Sequence, residues 1–370
     1  MKLDTLYILK VPPPVHGSTM MNQIIAESDI LVNKRNRKAI EQSISTNTEE
    51  IGKFTVKKVS KVLKNYSKLF NTLLKERPRL VYFAISPLDA AFIKDFISVL
   101  IVKLFRIPIL YHIHGKGIKN ASQNPILNMM YRFVFNNQYV IILSDYLRYD
   151  LEAFDFKKVF VVGNGIRDLR NKIVEEKGDE NKLFTITYLS NFIKEKGIVE
   201  FIETLGLLKK EGREFRAKII GGAIDLSKEE VSSLIERYGL KNHINHLGAA
   251  YGNDKYKLLS ESDLFIFPTY YRNECYPLVL LEAMCFGLPI ITSNEGGIRD
   301  IVKDGVNGFI VDPKNTKEIA SKVSSLIENS DLHQKMAENS RSLFVKHHTV
   351  EKFEGNLDEV IKQTLKIEYS

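Results

Sequence analysis

At 370 residues the chain is longer than one hydrophobic core usually serves, so two domains are expected. Its 44% apolar content is ordinary for a globular protein. The net charge of +8 is uneven: residues 1–170 carry 26 Lys and Arg against 14 Asp and Glu, and the remainder carries 27 against 31. Such an asymmetry suggests that one domain meets an anionic surface. The first ten residues are too short and interrupted for a signal peptide. The longest apolar stretch, Phe96 to Ile109, is broken by Lys103 and Arg106, so no membrane span is expected. Cys275 and Cys285 lack metal-ligand spacing and are expected to stay reduced, as in a cytosolic protein.

Residues 6–11 read as the first strand, 12–18 as a loop and 19–27 as a helix. A glycine where a strand turns into a helix lets the backbone approach a ligand, so Gly17 and Ser18 are candidates to touch a phosphate or sugar. The loop is not a full dinucleotide fingerprint. His16 reads as a solvated loop residue. Residues 54–75 have the helical period, with Val56, Val59, Val62, Leu63, Tyr66 and Leu69 on one face. Lys57, Lys58, Lys61, Lys64 and Lys68 lie on the other. Such a helix either packs on its own sheet with a solvated lysine face or lies on an anionic membrane, and the charge asymmetry favours the membrane.

Residues 80–85 read as a strand, 88–105 as a long apolar helix and 107–115 as a further strand. His112 and His114 share one face of that strand, and His114 stands nearer the carboxyl end, where parallel sheets bind ligands. Residues 139–144 and 159–162 are strands. The charged stretch from Arg170 to Lys182 lacks an apolar period and reads as a linker.

The pattern restarts with a strand at 184–189, a loop through Ser190, Asn191 and Lys196-Gly197, and a helix to about Lys210. A strand at 215–222 ends in Gly221-Gly222, and another covers 244–248. A buried strand at 263–268 precedes a polar loop holding Glu274. A helix then opens at Pro277, ends near Gly287 and leads into a strand at 289–292. Helices at 316–328, 331–346 and 350–367 close the chain. The first turn, at Tyr276, Pro277, Leu278 and Val279, presents backbone N–H groups suited to a phosphate. Glu274 lies just before this helix and Glu282 about one and a half turns inside it, so both face one ligand. An ionised carboxylate accepts two hydroxyl donors, which suits a sugar diol.

The string Glu274-x7-Glu282, then Ala-Met-x-x-Gly-x-Pro-Ile, Glu-Gly-Gly-Ile and Asp-Gly-x-Asn-Gly-Phe, resembles the donor-binding signature of family 4 retaining glycosyltransferases of the bacterial cell-surface polysaccharide type. The resemblance covers nearly the whole chain and is specific from Phe184 to Pro313. It implies an α/β chain with the GT-B fold, two Rossmann-like domains with parallel sheets facing across a cleft that holds the active site. The expected domains are 1–168, facing acceptor and membrane, a linker at 169–182, and 183–349, binding the nucleotide sugar. A last helix at 350–370 crosses back to the first domain.

The resemblance also implies roles. Glu274 and His114 contact the donor sugar, Lys196 binds the donor diphosphate, and Glu282 holds the ribose hydroxyls. Gly17 and Ser18 close over the donor, and Asn191, Gly222, Tyr276, Pro277, Leu278 and Val279 complete its site. The family usually has Gly-Arg where this chain has Ser190-Asn191, so one phosphate-binding cation is replaced by a neutral group and the burden on Lys196 grows. The implied reaction is a metal-independent, front-face transfer of a hexosyl-type group with retention, needing no cofactor beyond a UDP or GDP sugar as co-substrate. The acceptor is a saccharide hydroxyl, lipid-linked in the membrane reading, at the inner membrane face of the cytoplasm. The alternatives are another GT-B enzyme such as a nucleotide-sugar epimerase, or a non-catalytic basic module binding membrane or nucleic acid. No nucleic-acid motif is recognisable, so no nucleic-acid partner is expected.

Overall fold

The computed structural model describes residues 3–32, 36–42, 56–170 and 183–369. It divides into two compact units, Met1–Gly165 with Val350–Ser370, and Ile166–Thr349.

The first unit runs β1 (Thr5–Leu9), α1 (Gly17–Glu27), β2 (Arg37–Glu41), α2 (Val56–Glu76), β3 (Leu80–Ile85), α3 (Asp89–Leu104), β4 (Ile109–Ile113), α4 (Ile118–Ala121), α5 (Pro125–Phe135), β5 (Tyr139–Ile142) and β6 (Lys158–Val161). All six strands are parallel, in the order β2-β1-β3-β4-β5-β6. β1, β3, β4 and β5 are buried along their whole length, which is why they read as unbroken apolar runs. The chain passes from β1 outward to β2 and then to β3 on the other side of β1. The connections leaving the carboxyl ends of β1 and β3 therefore run in opposite directions, and a crevice opens between them.

The second unit runs β7 (Thr185–Leu189), α6 (Ile198–Lys210), β8 (Arg216–Ile220), α7 (Lys228–Arg237), β9 (Ile244–Gly248), α8 (Gly252–Ser260), β10 (Leu264–Phe267), α9 (Leu278–Cys285), β11 (Ile290–Thr292), α10 (Ile298–Ile301), β12 (Gly308–Ile310), α11 (Thr316–Glu328) and α12 (Ser330–His347). Its parallel sheet has the order β12-β11-β10-β7-β8-β9, so the strand order reverses between β7 and β10. The final helix, α13 (Val350–Tyr369), belongs to the first unit. There Asp358 receives Arg37 at 2.7 Å and Glu368 accepts from Tyr139 at 2.8 Å.

Several strands end sooner than their apolar runs predict. β1 stops at Leu9 rather than residue 11, β4 at Ile113 rather than 115, and β8 at Ile220 rather than 222. Each run continues into the loop at the carboxyl end of its sheet, where the ladder stops and burial becomes partial at every overrun position but Gly221. α1 starts at Gly17, not Thr19, because His16 caps it: His16 Nδ1 accepts from Thr19 N, and Thr19 Oγ1 accepts from His16 N. His16 is exposed, as a loop residue should be, but it has this structural task. α9 starts at Leu278 with Pro277 as its N-cap.

Of the linker expected over 169–182, residues 171–182 lie outside the described residues. Leu169 and Arg170 are held on the second unit, where Leu169 N donates to Cys285 Sγ at 3.4 Å. The side chains of Lys57 and Lys58 also lie outside the described residues. β2 was not legible in the sequence, because Arg-Lys-Ala-Ile-Glu on a sheet edge has one buried side chain. α5 and α7 carried readable start signals: Asn124 before Pro125, and the reciprocal Ser227–Glu230 capping box.

Candidate active site

The residues singled out on the second unit come from loops at the carboxyl ends of neighbouring strands. Lys196 follows β7 in a 3-10 turn, and Glu274 follows β10. Because β7 pairs with β10 at the reversal of strand order, these two loops meet. Lys196 Nζ lies 3.5 Å from Glu274 Oε2, and both side chains are largely buried. The rings of Tyr271 and Phe267 flank the ammonium at 5.4 and 5.9 Å. A backbone contact binds the loops together, Tyr270 N donating to Glu195 O at 2.7 Å, and within the second loop Glu274 N donates to Tyr271 O at 2.9 Å.

Two glycines make this approach possible. Gly197 has φ +82°, and a Cβ there would stand 2.3 Å from the Pro268 carbonyl. Gly296, in the loop after β11, has φ +55°, and its Cβ would stand 2.3 Å from Glu274 O. Next to it, Gly297 N donates to Cys275 O at 2.6 Å. The Glu-Gly-Gly string thus supports the backbone that carries Glu274.

Glu282 is the polar residue on an otherwise inward-packed helix, with Leu280, Leu281, Ala283, Met284 and Cys285 all buried around it. Its Oε1 accepts from Lys255 Nζ at 2.5 Å. Its Oε2 is buried with no hydrogen-bond partner among the described residues. A buried acceptor left unmatched costs about 1–3 kcal/mol, so this oxygen marks a place for a donor from outside the chain. Lys255, from the first turn of α8, is a residue the sequence did not reveal: nothing in its spacing links it to Glu282, 27 positions later.

Asn191 is exposed beside Gly222, where a Cβ would meet Asn191 Oδ1 at 3.5 Å, and Gly222 O accepts from Phe192 N at 2.8 Å. No side chain caps the N-terminus of α9 at Leu278 and Val279. The Tyr276 side chain turns inward and is buried, its ring 6.2 Å from that of His348, so it offers a ligand its backbone rather than its hydroxyl. Behind α9, Arg341 Nη1 donates to Cys285 O at 2.8 Å and to Asp168 Oδ1 at 3.0 Å, fixing the helix end. Both cysteines are buried and neither forms a disulfide among the described residues, and burial pushes the Cys285 thiol up to about 11.

His114, Gly17 and Ser18 belong to the first unit. Ser18 and His114 line a cavity of about 490 Å³ at the crevice between β1 and β3, and Gly17 is the first residue of α1 beside it. Lys10 enters that cavity, donating to Ser86 Oγ at 2.7 Å and pairing with Asp95. Three further polar atoms are buried without partners among the described residues and come from residues lining the same cavity: Asn22 Oδ1, Gln42 Nε2 and Asn65 Nδ2. Both ring nitrogens of His114 are likewise unmatched. Of the cations near it, Lys119 pairs with Glu152 at 3.7 Å.

His112 Nδ1 meets Tyr82 OH at 2.5 Å, and the two histidine rings lie 4.0 Å apart. Burial, then repulsion from His114, holds His112 well below the usual imidazole range. Burial, then repulsion from His16, pushes His114 down to about 3. Both are neutral when folded at neutral pH, whereas an unfolded histidine titrates near about 6.5. Below that value the unfolded chain binds protons that the folded chain refuses, so stability is level above it and falls as pH drops toward the folded values. His114→Gln should reduce the loss of melting temperature between about pH 6.5 and 5; an unaltered slope would count against this origin.

Residues 170–343 match the family described as "Glycosyl transferases group 1". The chain carries a group 1 glycosyltransferase domain. It is 25% identical over 260 residues to "Uncharacterized glycosyltransferase MJ1178" of Methanocaldococcus jannaschii, covering 68% of this chain and 67% of that protein. It is 28% identical over 215 residues to "Capsular polysaccharide biosynthesis glycosyltransferase CapM" of Staphylococcus aureus, and the match spans only about half of each, 55% of this chain and 55% of CapM. Among solved structures, Anabaena Alr3699/HepE in complex with UDP-glucose superposes with a TM-score of 0.74 at 20% identity, over 97% of this chain and 99% of that one. The fold is GT-B, with two parallel six-stranded sheets.

Proposed function

We propose that this glycosyltransferase moves a sugar, with retention, from a nucleoside diphosphate sugar to an acceptor hydroxyl, and that its second unit holds the donor. The observation that carries this reading is the pairing of Lys196 with Glu274 at the β7–β10 crevice, together with the unmatched Oε2 of Glu282. In this reading Glu282 takes the two ribose hydroxyls. The N–H groups of Leu278 and Val279 and the Lys196 ammonium take the diphosphate, and Asn191 and Gly222 line its approach. Glu274 takes hydroxyls of the donor sugar, held in place by the cation it shares with the phosphate. The anomeric C–O bond breaks toward the diphosphate, the acceptor oxygen attacks on the same face, and its proton passes to the leaving phosphate. Preorganised charge at the leaving oxygens is the main catalytic contribution, and no metal is needed to supply it.

The UDP-glucose held by the Anabaena neighbour supports a UDP sugar as donor, and the CapM relationship supports a saccharide acceptor in polysaccharide assembly. The cavity of the first unit supports acceptor contacts there, with His114, Gln42 and Asn65 offering neutral hydrogen bonds to hydroxyls. A lipid-linked acceptor at the inner membrane face accords with the basic first half of the chain.

The test is a thermal-shift screen of UDP, GDP and their sugars with and without EDTA. One nucleotide series at about 100 times its Kd should stabilise the protein by about 2.7 kcal/mol, equally in EDTA. Glu282→Ala should abolish that shift, its unliganded melting temperature falling separately because the largely buried Lys255 loses its partner. Product analysis then separates transfer from epimerisation of the donor. A shift that requires metal, or one that survives Glu282→Ala, would overturn the assignment.

A further inference from the structure

A helix that covers a sheet needs one apolar face, and the opposite face normally turns polar side chains to water. α3 does not follow this rule. Phe92, Val99 and Val102 are buried against the first unit, yet Ile93, Ile97, Leu100 and Leu104 form an outward stripe at helical spacing, Leu104 being 72% exposed. α5 repeats the pattern with Ile126 at 67%, Met129 at 66%, and Phe133. α2 adds Val59, Leu63 at 61%, Phe70 and Leu74, on a stripe separate from its buried Leu69 and Leu73.

The three helices are neighbours, α3 packing between α2 and α5. Ring contacts join them: Phe70 meets Phe105, one residue past α3, at 5.4 Å, and Phe96 meets Phe133 at 5.6 Å. The stripes therefore form one apolar surface, larger in kind than the scattered exposed side chains of a soluble monomer.

Its charge is one-sided. The three helices hold nine Lys and Arg against Glu76, Asp89 and Asp95. Asp95 is buried on Lys10, and Glu76 is paired with Lys38. Lys64, Lys68 and Arg132 are exposed beside the stripes, and Lys103 lies 4.6 Å over the Phe133 ring. A second copy brought face to face would repel such a surface. A sheet of anionic headgroups over a hydrocarbon layer matches both its parts. No helix among the described residues is long and apolar enough to cross a membrane, so the fit is to the interface and not to a span.

We infer that this face of α2, α3 and α5 seats the protein on an anionic lipid bilayer, the Ile97, Leu100 and Leu104 side chains entering the acyl boundary while the surrounding lysines and arginines meet the headgroups. This refines the proposed inner-membrane setting, and it stands or falls separately from donor binding on the second unit. The apolar side chains, rather than the lysines alone, hold the protein there, so binding persists in salt that screens surface charge.

The experiment is flotation of the full chain with phosphatidylcholine vesicles, with and without phosphatidylglycerol, at low and high salt. Wild type should float with phosphatidylglycerol vesicles and retain part of that binding in high salt. Ile97→Ser/Leu100→Ser/Leu104→Ser should lower partitioning at least about tenfold at both salt levels. Lys64→Gln/Lys68→Gln should lower it chiefly at low salt. Thermal shift by UDP should be the same in all three proteins, which shows that they are folded and separates this inference from the donor assignment. Absence of wild-type flotation overturns the inference, as does flotation of the apolar variant at wild-type level. A lipid-free dimer that the same variant dissolves would reassign the face to self-association.

Discussion

Lys196→Ala should lower kcat for sugar transfer by about 10²–10³-fold, the scale found when one preorganised charge partner of a developing oxyanion is removed. The family pattern has a second cation where this chain has Asn191, so less remains to compensate. The ammonium also holds Glu274 at 3.5 Å, so the two side chains act as a unit. Glu274→Gln should cost a similar factor, and the double variant Lys196→Ala/Glu274→Gln little more than either alone, since groups that act together are strongly non-additive. Steady-state kcat and KM for the four proteins provide the measurement. A double variant whose loss equals the product of the single losses would mean that the two residues work independently. Lys196→Arg should recover part of the activity, because the charge returns with a different shape.

Gly296→Ala should be among the most damaging single methyl groups added to the second unit. The position has φ +55°, and the new Cβ would stand 2.3 Å from Glu274 O, with two Cys275 atoms within 3.0 Å. The left-handed conformation alone costs an alanine roughly 1–2 kcal/mol. The clash is with backbone, which has no rotamer to change, so a total loss of about 3 kcal/mol or more is expected. Gly212 provides the control: its φ is +74°, but nothing lies within 4 Å of the added Cβ. Gly212→Ala should therefore cost only the conformational part, about 1–2 kcal/mol. Urea unfolding of both variants tests the contrast. Equal losses would show that the contact between the Glu-Gly-Gly loop and the Glu274 backbone has no consequence for stability. If the contact also holds Glu274 in place, Gly296→Ala lowers kcat even where the protein remains folded.

The local parts of the site were legible because they depend on short-range geometry. Glu274 stands before a helix and Glu282 inside it by spacing alone, Gly287 ends that helix with φ +75°, and the polar loops follow buried strands. The carboxyl ends of the strands were overrun because the residue pattern runs on into the following, partly buried loop, whereas a strand ends where its ladder does. Lys255 was out of reach for a different reason. It is a lysine in an unremarkable first turn, and only the packing of α8 beside α9 brings its ammonium to Glu282.

The sequence by itself determined the alternation of strand and helix in both units, and with it parallel sheets whose functional loops share one edge. It also determined which loops carry carboxylate, lysine and glycine. Strand order belongs to the tertiary structure. β7 and β10 are separated by two further strands in the chain yet lie side by side in the sheet, and that adjacency alone brings Lys196 to Glu274 across 78 positions. The apolar helix at 88–105 shows the same division. Its hydrophobicity was plain, but hydrophobic pattern states how much surface wants to leave water, not what covers it. A sheet covers one face of α3, and the fold leaves the other turned outward.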